Sequence, residues 1–233
     1  MLHIIDARTG DSVPARRAPT RVEAHVPGYD ATALRVVLVA DVLARALEIG
    51  GTPVWSVLSG EGDRAELRAG AAALGIRPFE DGRDSGPGTG GPQVIHVVGE
   101  GGATPDGVRF AVAPVAGSPE ETDPGVLRLA MLSHPRDLPV RLDAAAVSEA
   151  HDTLVRWRRA VAAWARTPSK PVPEDVRAEL RTAWEDDLDV PAVLRVLRRV
   201  EASDLPDGAC FETYAYADRL LGLELTRDLG TFA

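Results

Sequence analysis

The chain has 233 residues, 45% of them apolar, enough to build a core in one large or two small domains, which excludes a disordered protein. Aromatics make up only 5%, against 22 Gly and 18 Pro, so Ala, Val and Leu must fill that core. Of the 26 basic residues only Lys170 is a lysine, and the net charge of −9 weighs against a nucleic-acid binder, whose phosphate contacts need clustered positive charge.

Met1 to Thr9 reads as a strand without the apolar run of a signal peptide, and a Pro/Arg segment follows it. A second strand, Arg21 to Val26, ends at Pro27-Gly28. The helix expected from Ala31 to Ile49 has near-continuous apolar positions, as a helix buried against a sheet requires, and Gly50-Gly51 stops it. A strand from Pro53 to Leu58 precedes a helix capped by Asp63 and closed by Gly75. Strand, helix, strand, helix in this order is the pattern of a parallel α/β sheet.

Residues 82 to 107 hold nine glycines around one strand, Val94 to Val98, and another strand covers Val108 to Val112. Beyond them the pattern turns helical. Asp143 to Arg166 carries Val147, Leu154, Trp157, Val161 and Trp164 on one face, and Pro173 to Trp184 repeats the idea. Asp189-Val190-Pro191 starts a helix through Val200, and the last helix runs from Phe211 to Leu221. The expected architecture is an α/β half with a parallel sheet over residues 1–122 followed by a helical bundle over 123–233.

Most single motifs fail on context. Gly86-Pro87-Gly88-Thr89-Gly90-Gly91 satisfies G-x-G-x-x-G, but a strand follows it where a helix N-terminus should receive the phosphates. Lys170, in Pro168-Ser169-Lys170-Pro171, rules out a Walker loop and reads as a linker residue. Neither Ser59 nor Ser133 lies in G-x-S-x-G, and Ser133-His134 are neighbours whose side chains point apart on a helix. The histidines at 3, 25, 96, 134 and 151 show no metal-binding spacing and the single Cys210 cannot form an intrachain disulfide or a cysteine-rich zinc site, which leaves a metal only to residues far apart in the chain. The run Glu185 to Asp189 lacks the glycine of a calcium loop and reads as helix capping.

Three segments taken in order resemble one family. Tyr29-Asp30-Ala31-Thr32, between a strand and a long helix, is similar to the start of the catalytic domain in cysteinyl-tRNA synthetases and closer still to the cysteine ligase of mycothiol biosynthesis. The segment Asp123 to His134, with the later Leu154 to Arg158, resembles the stretch just after the family's second signature. Ala183 to Leu194 looks like its helical-domain run D-D-x-[DN]-x-P-x-A. The resemblance implies a class I synthetase-like fold, a reduced Rossmann-like domain over residues 1–122 followed by an α-helical bundle over 123–233.

Several of the family's chemical parts are missing. Thr32 runs into Ala33-Leu34-Arg35, where the family has the H-I-G-H histidines that meet ATP phosphates. Val115 to Thr122 stands where K-M-S-K-S should lie, with Glu120 and Glu121 near the place of its two lysines. The cysteine that would hold zinc after the first strand is replaced by Val26-Pro27, and His96 with Gly99 looks like a remnant of a D-I-H-G-G-G stretch. Each preorganised transition-state donor is worth about 3 to 4 kcal/mol, so these losses together are not compatible with ATP-driven cysteine activation.

The expectation is therefore a catalytically degenerate paralogue acting as a non-catalytic binding or partner protein, cytoplasmic and without a membrane segment. Its partner would be a protein, a second copy or a small molecule; tRNA is disfavoured because residues 124–233, with 15 basic and 18 acidic residues, are net −3. The rival expectation is an enzyme that keeps a pocket for ATP or an adenylate and acts on another substrate. A doubly wound sheet binds ligands at the carboxyl ends of its strands, which nominates Gly28, Tyr29, Asp30 and Thr32, then Ser59 and Glu61, then His96 and Gly99. Capping of the following helix is the simpler task for Asp30 and Thr32. No residue is assigned to catalysis or to a metal, and zinc is not expected.

Overall fold

The computed structural model describes residues 1–60, 64–82, 93–117 and 122–230. A hairpin of β1 (His3–Ile5) and β2 (Ser12–Pro14) comes first, followed by β3 (Thr20–His25), α1 (Ala31–Ile49), β4 (Val54–Ser59), α2 (Arg64–Ala73) and β5 (Glu80–Asp81). The chain continues through β6 (Gln93–Gly99), β7 (Val108–Val112), β8 (Val115–Ala116), α3 (Pro124–Leu132) and β9 (Val140–Arg141). Four helices close it: α4 (Ala144–Trp164), α5 (Glu174–Glu185), α6 (Val190–Glu201) and α7 (Asp207–Leu221).

The central sheet has the order β5-β4-β3-β6-β7 with every pairing parallel, as the alternating pattern predicts. From β3 the chain winds one way through β4 to β5, then returns to the other side of β3 as β6. The strand order therefore reverses between β3 and β6, the place where doubly wound sheets open a crevice.

Helix α1 explains its own apolar sequence. It packs along β3, β4, β6 and β7 on one side and meets α2 and α7 on the other, so Val36, Leu38, Leu43 and Leu47 are all buried. Asp30 caps it, accepting the Ala33 amide at 2.6 Å, and the chain leaves it at Gly50. A continuous apolar cluster joins α1 to the later helices, where Trp157 and Tyr214 meet edge to face with centroids 5.6 Å apart.

Some details correct the sequence reading. Residues 10–17 are not merely a connecting segment: β2 pairs antiparallel with β1, outside the main sheet, and buries Ile4. Helix α7 begins at Asp207 rather than at Phe211. In the acidic run, Asp189 does cap α6 through the Ala192 amide. Asp187 has another task, at φ 50° accepting the Ile5 amide at 2.8 Å and pairing with Arg136.

Three arginines are buried among the described residues, Arg35, Arg128 and Arg158, which composition alone could not indicate. Arg35 of α1 donates to the carbonyls of Ala113, Pro135 and Leu138. Arg128 of α3 donates to the carbonyls of Leu74 and Leu221 and pairs with Asp41 at 3.0 Å, and Arg45 and Arg77 each reach the same carboxylate at 2.9 Å. Ion pairs and carbonyls thus join α1, α2, α3 and α7 around one aspartate. Among the described residues no helix is long and apolar enough to cross a membrane.

Candidate functional site

A cavity of about 650 Å³ opens at the carboxyl ends of β3, β4 and β6, beside the first turn of α1. His25, Val26 and Pro27 form one wall, Asp30, Thr32 and Val36 a second, and Ser59 with Gly60 a third; Gly99 to Ala103 close it. Gly60 is required there: at φ 146°, a Cβ would fall 1.9 Å from the Val26 carbonyl oxygen. The chain turns off β4 against the exit of β3 only because that position has no side chain.

Of the residues nominated from sequence, Asp30, Thr32, Ser59 and Gly99 line this cavity. Asp30 also caps α1, and the Thr32 hydroxyl accepts the Val115 amide at 3.1 Å, so both carry structural bonds in addition. His96 lies just behind the wall, reached through His25. Gly28 and Tyr29 do not line it: Tyr29 is 48% exposed, with its ring beside Gly70 of α2. Glu61 and the Gly86 to Gly91 motif lie outside the described residues.

Arg21, Glu23 and His25, not nominated from the sequence, join the nominated His96 and Ser59 in the densest chemistry. Alternation along β3 places Val22 and Ala24 in the apolar cluster and Arg21, Glu23 and His25 on the opposite face. Parallel register then sets Glu23 beside His96 and His25 beside Ser59. His25 Nε2 lies 2.8 Å from His96 Nδ1, and both rings approach the Glu23 carboxylate, at 3.8 and 3.9 Å. Ser59 donates its hydroxyl to Glu23 Oε1 at 2.5 Å, and Arg21 pairs with Oε2 at 3.1 Å. The signal in the sequence was three polar residues at every second position of a strand otherwise buried.

Burial disfavours the charged form of both imidazoles. Burial pushes the His25 pKa down against the opposing pull of Glu23. Burial likewise lowers that of His96, helped by the neighbouring His25 and opposed by Glu23. The loop after β6 folds back over His96, whose ring is so close to Gly107 that a Cβ there would lie 2.9 Å from Cδ2. The neutral imidazole is the form of histidine that binds metals.

The cavity wall itself carries Asp30 and Glu100, and among its described lining residues there is no lysine or arginine. Val26 and Pro27 offer no ligand atom where the resemblance would place a cysteine, and Cys210 is buried in α7, its thiol directed at the Leu205 carbonyl. A thiolate zinc site of the family's kind does not fit this chain.

Comparison with known proteins bears on the same question. No family model matches the chain. It is 36% identical over 111 residues to the L-cysteine:1D-myo-inositol 2-amino-2-deoxy-alpha-D-glucopyranoside ligase of Streptosporangium roseum, a match covering 46% of this chain and 26% of that relative. The resemblance to cysteine ligases is borne out. The ligase of the same name from Parafrankia sp. is 39% identical over 87 residues, 37% of this chain and 19% of the relative. That of Streptomyces griseus subsp. griseus is 35% identical over 111 residues, 46% and 26%. The match spans about a quarter or less of these ligases' own length. With its parallel Rossmann-like sheet and trailing helices, this ligase-like chain keeps a scaffold that the resemblance implies.

Proposed function

We propose that the chain is a non-catalytic binding protein on a cysteine-ligase-like scaffold, and that its cavity takes a small polar molecule with an amino group. The observation that carries this reading is the charge of the wall: Asp30 and Glu100 face the cavity and no lysine or arginine among the described lining residues balances them. Two like charges 4 Å apart cost about 4 kcal/mol at an effective dielectric of 20, so a triphosphate meets repulsion where an ammonium group meets attraction. The relatives' name includes an amino sugar, a 2-amino-2-deoxy glucoside, which has that character. The sequence losses agree, since neither the paired histidines nor the two lysines of ATP activation are present. A single buried cysteine suits the reducing cytoplasm in which we place the protein.

The rival reading, a retained pocket for ATP or an adenylate, draws support from the first turn of α1, whose amides border the cavity. Thermal shift separates the two. With ligand at 100 times its dissociation constant a specific occupant stabilises by about 2.7 kcal/mol. The expected result is stabilisation by the amino sugar or its inositol glycoside and none by MgATP, AMP or an aminoacyl-adenylate analogue. A shift with the nucleotides alone would overturn the reading in favour of its rival.

A further inference from the structure

We propose that Glu23, His25 and His96 bind one divalent transition-metal ion of the zinc class, with a coordination position open to the cavity. Among the described residues these three form the group whose ligand atoms converge, all within 4.8 Å of one another. In a tetrahedral site with metal–ligand distances of about 2.0 to 2.1 Å, donor atoms stand roughly 3.3 to 3.4 Å apart. Here the two ring nitrogens stand 2.8 Å apart, and each approaches a different oxygen of Glu23, His25 Nε2 lying 3.8 Å from Oε1 and His96 Nδ1 3.9 Å from Oε2. The ion would need the two rings to part by about half an ångström and one carboxylate oxygen to turn in toward both nitrogens.

The donor set selects the metal. Two imidazole nitrogens and one carboxylate oxygen suit zinc and its neighbours, whereas calcium and magnesium seek oxygen alone. The surroundings supply the outer bonds that metal ligands usually have. Ser59 holds Oε1 of Glu23 and Arg21 holds Oε2, each leaving a further lone pair on its oxygen. His96 hydrogen-bonds the backbone of Asp106, in the loop that also presses Gly107 against its ring. His25 is the member of the set that lines the cavity, with Ser59 beside it, so the remaining coordination position faces the space where a ligand sits. Three protein donors and one open position is the arrangement of sites that present a metal to a bound molecule.

The test uses the full chain, stripped with a chelator and titrated with Zn²⁺ by calorimetry and with Co²⁺ by visible absorption. One equivalent of metal is expected, with the intense visible bands of low-coordinate Co²⁺. His25→Gln and Glu23→Gln should each weaken uptake at least about 100-fold, while His151→Gln, on the exposed side of α4, should leave it unchanged. A wild-type chain that takes up no stoichiometric metal overturns the proposal, whether or not the variants fold. So does uptake that His25→Gln leaves intact. Metal failure with an amino-sugar thermal shift intact would separate this inference from the ligand reading.

Discussion

His25 Nε2 stands 2.8 Å from His96 Nδ1 although 71 residues separate them, because β3 and β6 lie side by side in parallel register. That contact sits at the reversal point of the sheet and immediately behind the cavity wall. One crevice of the fold thus holds the cavity and, behind its wall, a cluster of nitrogen and oxygen donors.

Ser59 should tune this cluster without belonging to it. Its hydroxyl donates to Glu23 Oε1 at 2.5 Å, fixing the carboxylate next to both rings. Ser59→Ala is expected to lower Zn²⁺ affinity by about 10- to 100-fold while leaving one equivalent bound, as loss of an outer-shell partner does elsewhere. Competitive titration against a chromophoric chelator measures it.

Asp41 holds the sheet domain to the later helices. Its carboxylate is 1% exposed and receives Arg45, Arg77 and Arg128. Asp41→Asn strands a buried positive cluster and should destabilise the chain by roughly 3 to 5 kcal/mol in urea unfolding.

The same carboxylate predicts a pH dependence. Burial alone would raise its pKa, but Arg128, Arg45 and Arg77 together hold it below the ordinary range. A depressed folded pKa gives stability that is complete above the unfolded value of about 3.9 and lost as pH falls through the folded value. Asp218 works the other way, raised by burial even while the Leu223 and Leu225 amides donate to it. The difference in stability between wild type and Asp41→Asn isolates the first effect, and it should shrink steadily below about pH 4.

Gly60 should be intolerant of any side chain. Its φ of 146° and the 1.9 Å approach to the Val26 carbonyl mean that Gly60→Ala must displace the exit of β3. A loss beyond about 1 to 3 kcal/mol is expected from the backbone alone, together with weakened ligand-induced stabilisation. Chemical denaturation with and without ligand separates the two effects.

What was legible in the sequence depends on the range of each interaction. Helix α1 announced itself through near-continuous apolar positions and a local cap at Asp30, and the alternation of elements pointed to the parallel sheet. The β1–β2 hairpin did not, since each strand has three residues and only pairing reveals it. The burial of Arg35 and Arg128 leaves no local signal, because their partners are carbonyls distant in the chain and, for Arg128, also Asp41. Ser59, Gly99, Asp30 and Thr32 could be nominated from strand ends. Glu23 and His25 escaped notice because their meaning depends on a register with His96 that one strand cannot disclose.

A direct assay tests whether this chain binds without ligating. Full-length protein, loaded with Zn²⁺, is incubated with ATP, L-cysteine and the amino-sugar inositol glycoside, and AMP and pyrophosphate are measured as they form. A binding protein on this scaffold gives no release above a protein-free blank. Stoichiometric or catalytic AMP formation that requires both cysteine and the amino sugar would contradict the non-catalytic role.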